Sequence, residues 1–263
     1  MGPLGRLSVA AATRAEALVL RSAELRARAL DAPRPRRFAD ALKRPDVAVV
    51  AEIKRRSPSK GVINPAIDAA AQARAYEVGG ASALSVLTEP SEFGGAVTDL
   101  AEAHRATLLP TLKKDFHVHP VQVFEARAAG ASALLLIARA LPPGHLGELA
   151  ERAEEVGIEV LIEVRNEAEL EDALGVDGAV IGVNSRDLET LVIEPDVTAR
   201  LIAAIPAGRI AIAESGVSGR ADVERVASAG ADAVLVGSSV SAASDPSGAV
   251  AALTGVARAR RAG

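Results

Sequence analysis

The sequence predicts an α/β fold, a (β/α)8 TIM barrel with an additional helical segment at its N-terminus. One observation behind this prediction is a weak internal repeat: VGGASALSVL (78–87), AAGASALLLI (128–137) and SAGADAVLVG (228–237). Each copy has the pattern of a helix end, a glycine, a short turn and an apolar strand. The aligned glycines, Gly80, Gly130 and Gly230, are separated by 50 and 100 residues. With about 25 residues per βα unit, these gaps are two and four units of a barrel of about 250 residues.

The second observation is that five further apolar strands fall between the repeats. They are VAVVAEI (47–53), LLPTLKK (108–114), IEVLIEV (158–164), GAVIGVN (178–184) and RIAIAES (209–215). Helical patterns such as ELAERAEEVG (148–157) and ADVERVASAG (221–230) lie between them. Eight short apolar strands that alternate with helices are typical of a parallel sheet buried on both faces.

The N-terminal segment precedes the first strand. Residues 7–30 are rich in Ala, Arg and Leu and predict one amphipathic helix, which the linker DAPRPRR (31–37) follows. No second domain is indicated. We therefore expect a single domain over residues 1–263, with a helical extension at 1–45 and the barrel at 46–263.

Composition narrows the possible functions. The formal net charge of −4 argues against a nucleic-acid-binding surface. The absence of cysteine excludes disulfides, thiolate metal sites and a Cys nucleophile, and the four histidines lack metal-ligand spacing. No uncharged apolar run approaches the ~18 residues of a membrane span. These features predict a soluble cytoplasmic protein whose partner is a small molecule, neither nucleic acid nor membrane.

Polar residues accumulate where the predicted strands end. Glu52 and Lys54 lie two residues apart, so their side chains leave the same face of the first strand. Such charges are costly to bury unless they are paired or bind a ligand. In a barrel the C-terminal strand ends converge on the active site, so a shared catalytic mouth explains these charges better than a solvated rim. The later strands end with Lys114, Asp115, Glu163, Asn184, Arg186, Glu214, Ser215, Gly237 and Ser238.

The loops AESGVSG (213–219) and VGSSVSA (236–242) follow strands seven and eight. Barrels often bind phosphate at this place with backbone N–H groups and the start of a short helix. Gly216 and Gly237 let the backbone approach an anion, and Ser238 offers a hydroxyl donor or a helix cap. Gly-Ser pairs also occur in ordinary turns, but two such loops at the expected places favour a phosphate site.

Three other features lie in or near the predicted mouth. Asp115 fits either a catalytic role or a partner that holds Lys114 in place. His117 and His119 in DFHVHP are expected to be partly exposed and to bind no ligand. Phe93 lies in a loop expected to cover the mouth, where its ring suits an aromatic ligand.

Seven motifs then occur in order between about residues 49 and 240. They are AEIKRRSPSKG, LSVLTEPSEFGG, LKKDFHVHPVQVFEAR, LIEVRNEAEL, GVNSRDLETL, AESGVS and VGSSV. Together they resemble the indole-3-glycerol-phosphate synthase family. The resemblance implies a (β/α)8 enzyme of tryptophan biosynthesis that needs neither cofactor nor metal. Its reaction converts 1-(2-carboxyphenylamino)-1-deoxyribulose 5-phosphate into indole-3-glycerol phosphate, CO2 and water.

The resemblance also implies roles for individual residues. Lys114 would be the acid that meets the developing alkoxide, and Glu163 the base that takes the ring N–H proton. Lys54 would share the acid role or bind the substrate carboxylate. Ser57 and Arg186 would bind the substrate carboxylate, and Asn184 and Ser215 would donate hydrogen bonds to the substrate. Glu52 and Glu214 would hold the lysines and the substrate amine or hydroxyls. The phosphate would be bound by Gly216, Gly237 and Ser238.

Two other functions fit the same fold. A phosphoribosylanthranilate isomerase would normally use a Cys/Asp acid–base pair, and this chain has no Cys. A non-catalytic phosphate-binding barrel would not need Lys54, Lys114 and Glu163 together. The sequence leaves open whether the protein associates with other enzymes of the tryptophan pathway.

Overall fold

The computed structural model describes residues 2–187 and 189–261, where eight parallel strands close a barrel. Each strand pairs with its sequence neighbours, and the last pairs with the first through Ala48 and Ala233. The predicted fold class is therefore confirmed. The strands are β1 (Ala48–Ile53), β2 (Ala83–Leu87), β3 (Thr111–Lys114), β4 (Ala133–Ile137), β5 (Glu159–Val164), β6 (Val180–Asn184), β7 (Ala211–Glu214) and β8 (Ala233–Val236).

Helices surround the barrel and extend it at the N-terminus. A short hairpin, Arg56–Ser57 against Gly61–Val62, follows β1, and a 3₁₀ turn at Ala138–Ala140 follows β4. No helix among the described residues is both long and apolar enough to cross a membrane. The helices are α1 (Pro3–Val19), α2 (Ser22–Asp31), α3 (Phe38–Leu42), α4 (Ala69–Val78), α5 (Val97–Ala106), α6 (Pro120–Ala128), α7 (His145–Glu155), α8 (Glu167–Leu174), α9 (Pro195–Ala204), α10 (Arg220–Ser228), α11 (Ser238–Ser241) and α12 (Pro246–Ala251).

The strands have two buried faces because alternate side chains point to opposite sides of the sheet. Val49 and Ala51 belong to the outer core that packs beneath the helices. Ala48 and Val50 belong to a second core, which fills the barrel interior and also contains Phe38 of α3. This double burial explains why the strands are mostly apolar before their carboxyl ends.

The prediction of one helix over residues 7–30 is wrong. The segment forms α1 and α2, and the helical conformation is interrupted between them at Leu20 and Arg21. Arg21 leaves the helical conformation, with φ −110° and ψ 13°, while Leu20 is exposed. The break lets the two helices pack in different places: Leu7 of α1 joins the inner core, whereas Leu25 of α2 joins the outer core. Packing decided this break, because neither Gly nor Pro marks it in the sequence.

Candidate active site

A cavity of about 330 Å³ opens at the carboxyl ends of the strands. Its wall contains residues from loops and strand ends all around the barrel. All thirteen residues that the sequence analysis assigned to the site line it: Glu52, Lys54, Ser57, Phe93, Lys114, Glu163, Asn184, Arg186, Glu214, Ser215, Gly216, Gly237 and Ser238.

Lys114 ends β3 and lies between two carboxylates. Its Nζ is 2.7 Å from Oε2 of Glu214 and 3.6 Å from Oε2 of Glu163. Burial lowers the pKa of Lys114, but Glu214, Glu163 and Glu52 outweigh it and raise that pKa above its ordinary value. Lys114 is therefore held as an ammonium group, available as a cation or a proton donor.

Glu214 ends β7 and belongs to the same buried cluster of charges as Lys114. Burial raises the pKa of its carboxyl to about 7, with Lys114 opposing the shift and Glu163 and Glu52 adding to it. Its Oε2 accepts the hydrogen bond from Lys114, while its Oε1 has no partner among the described residues. One carboxylate beside Lys114 can thus change protonation near neutral pH.

Glu52 and Lys54 form a second ion pair at the end of β1, with Nζ and Oε1 2.6 Å apart. The backbone beneath them is fixed by side chains from elsewhere. The Ser241 hydroxyl donates to the carbonyl of Glu52 and accepts from the Lys54 N–H. Tyr76 donates to the same Glu52 carbonyl at 3.1 Å. Sequence reasoning missed Tyr76 and Ser241, because only the fold brings them beneath β1.

The neighbouring strand ends contribute polar groups. Asn184 ends β6, where its Oδ1 accepts from the backbone N–H of Arg186, while its amide NH₂ has no partner in the described part of the chain and can donate to a ligand. Arg186 donates to the carbonyl of Leu191, which fixes its guanidinium at the rim. Ser215 has φ 62°, an uncommon conformation for a residue other than glycine. Strained backbone of this kind is typical of functional sites.

Gly237 sits between β8 and α11. A Cβ at this position would overlap Oε1 of Glu52 and crowd Nζ of Lys54. Glycine is therefore needed for the Glu52–Lys54 pair to lie against this backbone. Ser238 begins α11, so the start of this short helix lies at the cavity wall next to Gly237.

The Asp115 side chain makes no direct contact with that of Lys114, so the interpretation that it is the partner of the lysine is wrong. Its carboxylate accepts from Nη2 of Arg14 at 2.7 Å, from Oγ1 of Thr88 at 2.7 Å and from the backbone N–H of Phe116 at 2.8 Å. Successive residues of an extended chain point in opposite directions, so Lys114 and Asp115 reach different neighbours. Arg14 is on α1, and no sequence signal indicated this contact.

The expectation of a partly exposed His117 is wrong. Its side chain is buried, and its Nδ1 lies 2.7 Å from the carbonyl oxygen of Leu135. Burial, with Lys113 nearby, lowers the pKa of His117 to about 3, so the imidazole is neutral. His119 is exposed and caps α6 by accepting from the N–H of Val121. The alternating pattern of DFHVHP predicts the same exposure for both histidines, and it did not reveal that His117 is buried while His119 is exposed.

Comparisons with a family model and with individual relatives identify the same family. A family model described as indole-3-glycerol phosphate synthase matches residues 6–253. A relative from Mycobacteroides abscessus with the same description is 48% identical over 231 residues, covering 88% of this chain and 85% of the relative. Another, from Mycolicibacterium gilvum, is 48% identical over 235 residues, covering 89% and 86%.

A solved structure also matches, more distantly. Thiamine phosphate pyrophosphorylase from Pyrococcus furiosus superposes with a TM-score of 0.61 at 16% identity, over 80% of this chain and 94% of that one. At this identity the likeness shows the fold alone.

Proposed function

The chain belongs to the indole-3-glycerol phosphate synthase family, and we propose from the geometry of the mouth how its residues divide that family's reaction. The activity is that of a carboxy-lyase of tryptophan biosynthesis. It closes the ring of 1-(2-carboxyphenylamino)-1-deoxyribulose 5-phosphate, then releases CO2 and water. The observation that best supports the division of work is Lys114 between the carboxylates of Glu163 and Glu214.

Ring closure needs a cation beside the substrate ketone. As the anthranilate ring carbon bonds to the carbonyl carbon, the carbonyl π electrons move to oxygen. The ammonium of Lys114 stabilises that oxyanion and gives it a proton. Glu214 and Glu163 keep Lys114 charged before substrate arrives.

Decarboxylation follows at the same ring carbon. The bond to the carboxylate breaks, CO2 leaves, and the bonding electrons restore the aromatic ring. Lys54, Ser57 and Arg186 are proposed to hold the carboxylate until then, because all three line the cavity and two are cations. Phe93, on the same wall, is proposed to pack against the anthranilate ring.

Dehydration completes the reaction. Glu163 takes the proton of the ring nitrogen, the nitrogen lone pair forms a C=N bond, and the displaced electrons expel the hydroxyl, which leaves as water with a proton from an acid. The CH2 carbon beside the nitrogen then loses a proton and the nitrogen regains one, which gives the aromatic indole. Lys54 is proposed to share this acid role with Lys114. Glu52 holds Lys54 at 2.6 Å, as Glu214 holds Lys114 at 2.7 Å.

Substrate positioning is assigned to the remaining residues. Asn184 and Ser215 are proposed to hydrogen-bond the substrate hydroxyls. The backbone N–H groups of Gly216, Gly237 and Ser238 are proposed to bind the phosphate, together with the Ser238 hydroxyl. The protein acts on a phosphorylated small molecule; its cytoplasmic location and its organisation as one domain stay predictions.

The direct test is the fluorescence-detected formation of indole-3-glycerol phosphate from purified protein and the carboxyphenylamino substrate. We expect turnover by the protein alone. Substrate binding without turnover would instead favour a non-catalytic phosphate-binding barrel. Neither binding nor turnover by folded protein would contradict the proposed site.

A further inference from the structure

Arg14 lies on α1, outside the barrel, yet its guanidinium contacts carboxylates at the ends of two strands. Its Nη2 is 2.7 Å from Oδ1 of Asp115, and its Nη1 is 3.6 Å from Oε1 of Glu89. The side chains of Glu89 and Asp115 are 0% and 5% exposed. Buried carboxylates are costly without a cationic or hydrogen-bonding partner. Arg14 provides one cation for both.

Glu89 shapes the loop that covers the cavity. Its Oε1 accepts from the backbone N–H and the hydroxyl of Ser91, and its Oε2 accepts from the backbone N–H groups of Glu92 and Phe93. Its own carbonyl accepts from Gly95. The loop thus folds around one buried carboxylate, and Phe93, its aromatic residue, lines the cavity.

Asp115 ties together the strand ends next to Lys114. It directly follows Lys114, and its Oδ2 accepts from the Thr88 hydroxyl at 2.7 Å. The Thr88 N–H in turn donates to the carbonyl of Lys114 at 3.0 Å. Arg14 therefore contacts both the anchor of the Phe93 loop and the segment that presents Lys114.

We propose that Arg14 is a positioning residue for the reaction, setting the Phe93 loop through Glu89 and the Lys114 segment through Asp115. This rests on the proposed function, which assigns Phe93 to the substrate ring and Lys114 to acid catalysis. It makes α1 part of the apparatus that organises the mouth, in addition to its packing on the barrel.

Arg14→Met removes the charge and keeps an unbranched apolar stem. Misplacement of catalytic groups by about 1 Å can cost 10²-fold in rate, so we expect kcat/KM to fall by about 10–100-fold. KM should rise because the loop is released, and kcat should fall because Lys114 shifts. Arg14→Lys, which keeps the charge but not the two-pronged contact, should recover part of the loss.

Arg26→Met is the matched control. Arg26 is on α2 in the same extension, its side chain is 53% exposed, and it pairs with Glu155 on α7, away from the cavity wall. This variant should retain the wild-type kcat and KM. If both variants lose activity in proportion to their loss of thermal stability, Arg14 contributes only to the stability of the fold, and the proposal is overturned.

A fluorescent reporter can follow the loop separately from turnover. The chain has no tryptophan, so Phe93→Trp introduces a single one. Combined with Arg14→Met, the introduced indole should show a red-shifted emission and stronger acrylamide quenching than in the otherwise wild-type chain. Combined with Arg26→Met, it should show neither change.

A double-mutant cycle tests the route through Glu89. If Arg14 acts through Glu89, Arg14→Met and Glu89→Gln together should cost less in kcat/KM than the product of the separate losses. If the loss of kcat/KM in the double variant equals the product of the two single losses, the two residues act independently, and that result would contradict the route through Glu89.

The remaining outcomes are also decisive. Unchanged kinetics in folded Arg14→Met, with unchanged emission from the Phe93→Trp reporter, would overturn the proposal. If Arg14→Met does not fold, Arg14→Lys decides by the same criteria. Full activity in Lys114→Met would instead overturn the proposed catalytic role of Lys114, while the reporter emission would still test Arg14.

Discussion

The charges of the mouth form two lysine–carboxylate pairs that are not equivalent. Lys54 pairs with Glu52 on its own strand end, whereas Lys114 pairs with Glu214 from the other side of the barrel. Lys114 stays cationic, and Glu214 lies near its protonation midpoint at neutral pH. Function explains this arrangement better than stability, because unlike charges in a buried cavity raise the cost of folding.

Replacing the proposed acid and base should separate two steps of the reaction. Lys114→Met and Glu163→Gln should each lower kcat by at least roughly two orders of magnitude, the usual range for general acid–base groups, while substrate still binds. Lys114→Met should block ring closure, so no CO2 appears. Glu163→Gln should slow dehydration and let a decarboxylated intermediate accumulate. Single-turnover measurement of CO2 and indole formation distinguishes them.

The stability of both variants serves as the control. Glu163→Gln should change thermal unfolding little or improve it, because it removes one of several like charges from the cavity. Lys114→Met should still fold but unfold at a lower temperature, because it leaves the buried carboxylates of Glu214 and Glu163 without their cation. Near-normal kcat in a folded variant would remove that residue from the mechanism.

Glu214 should make stability depend on pH. Its folded pKa, about 7, is raised above the ordinary value of 4.5, so the folded state binds more protons between these values. The wild type should therefore lose stability relative to Glu214→Gln as pH rises from about 4.5 to 7. Each pKa unit is worth about 1.4 kcal/mol, so the difference should grow by on the order of 2–3 kcal/mol. Urea unfolding at pH 5 and pH 8 measures it, and parallel stabilities would refute the raised pKa.

Among the elements, β6 affects the active site because it leaves space for the Glu214 side chain of the neighbouring strand β7. Gly182 of β6 lies where a Cβ would overlap Oε1 of Glu214. Gly182→Ala should push this carboxylate away from Lys114 and lower kcat while the barrel stays closed. A cost of about 10-fold or more is expected if the displacement approaches 1 Å.

Gly147→Ala is the control for that substitution. Gly147 lies in α7, and a Cβ there meets no atom within 4 Å. The alanine should leave kcat unchanged and stabilise the protein by about 0.5–1 kcal/mol, because alanine favours helix. Equal kcat for the Gly182 and Gly147 variants would contradict the importance of the space beside Glu214.

The loops after β7 and β8 should contribute mainly through the phosphate. A substrate without its phosphate should bind much more weakly, because fixed N–H donors at Gly216 and Gly237 would lose their partner. Turnover should also fall, since binding energy from a remote group helps to position the reacting end. Equal kinetics for the two substrates would refute the phosphate assignment.

At the scale of the whole molecule, the barrel brings every proposed role to one cavity. Lys114, Lys54 and Glu163 supply the acid, electrostatic and base functions with protein side chains alone. Turnover should therefore survive exhaustive EDTA treatment. Lost activity that one divalent ion restores would reveal a metal requirement outside this mechanism.

The sequence by itself determined the eightfold order of strands and the residues at their carboxyl ends. Both depend on local signals, the apolar runs and the polar residues that stop them, and parallel pairing then gathers the ends at one mouth. Tertiary structure alone decided which charges pair. Lys114 meets Glu214, one hundred residues away, and Asp115 meets Arg14 of α1. The burial of His117 and the break between α1 and α2 were decided in the same way. Such contacts depend on how strands and helices pack in space, which the periodicity of a single segment does not encode.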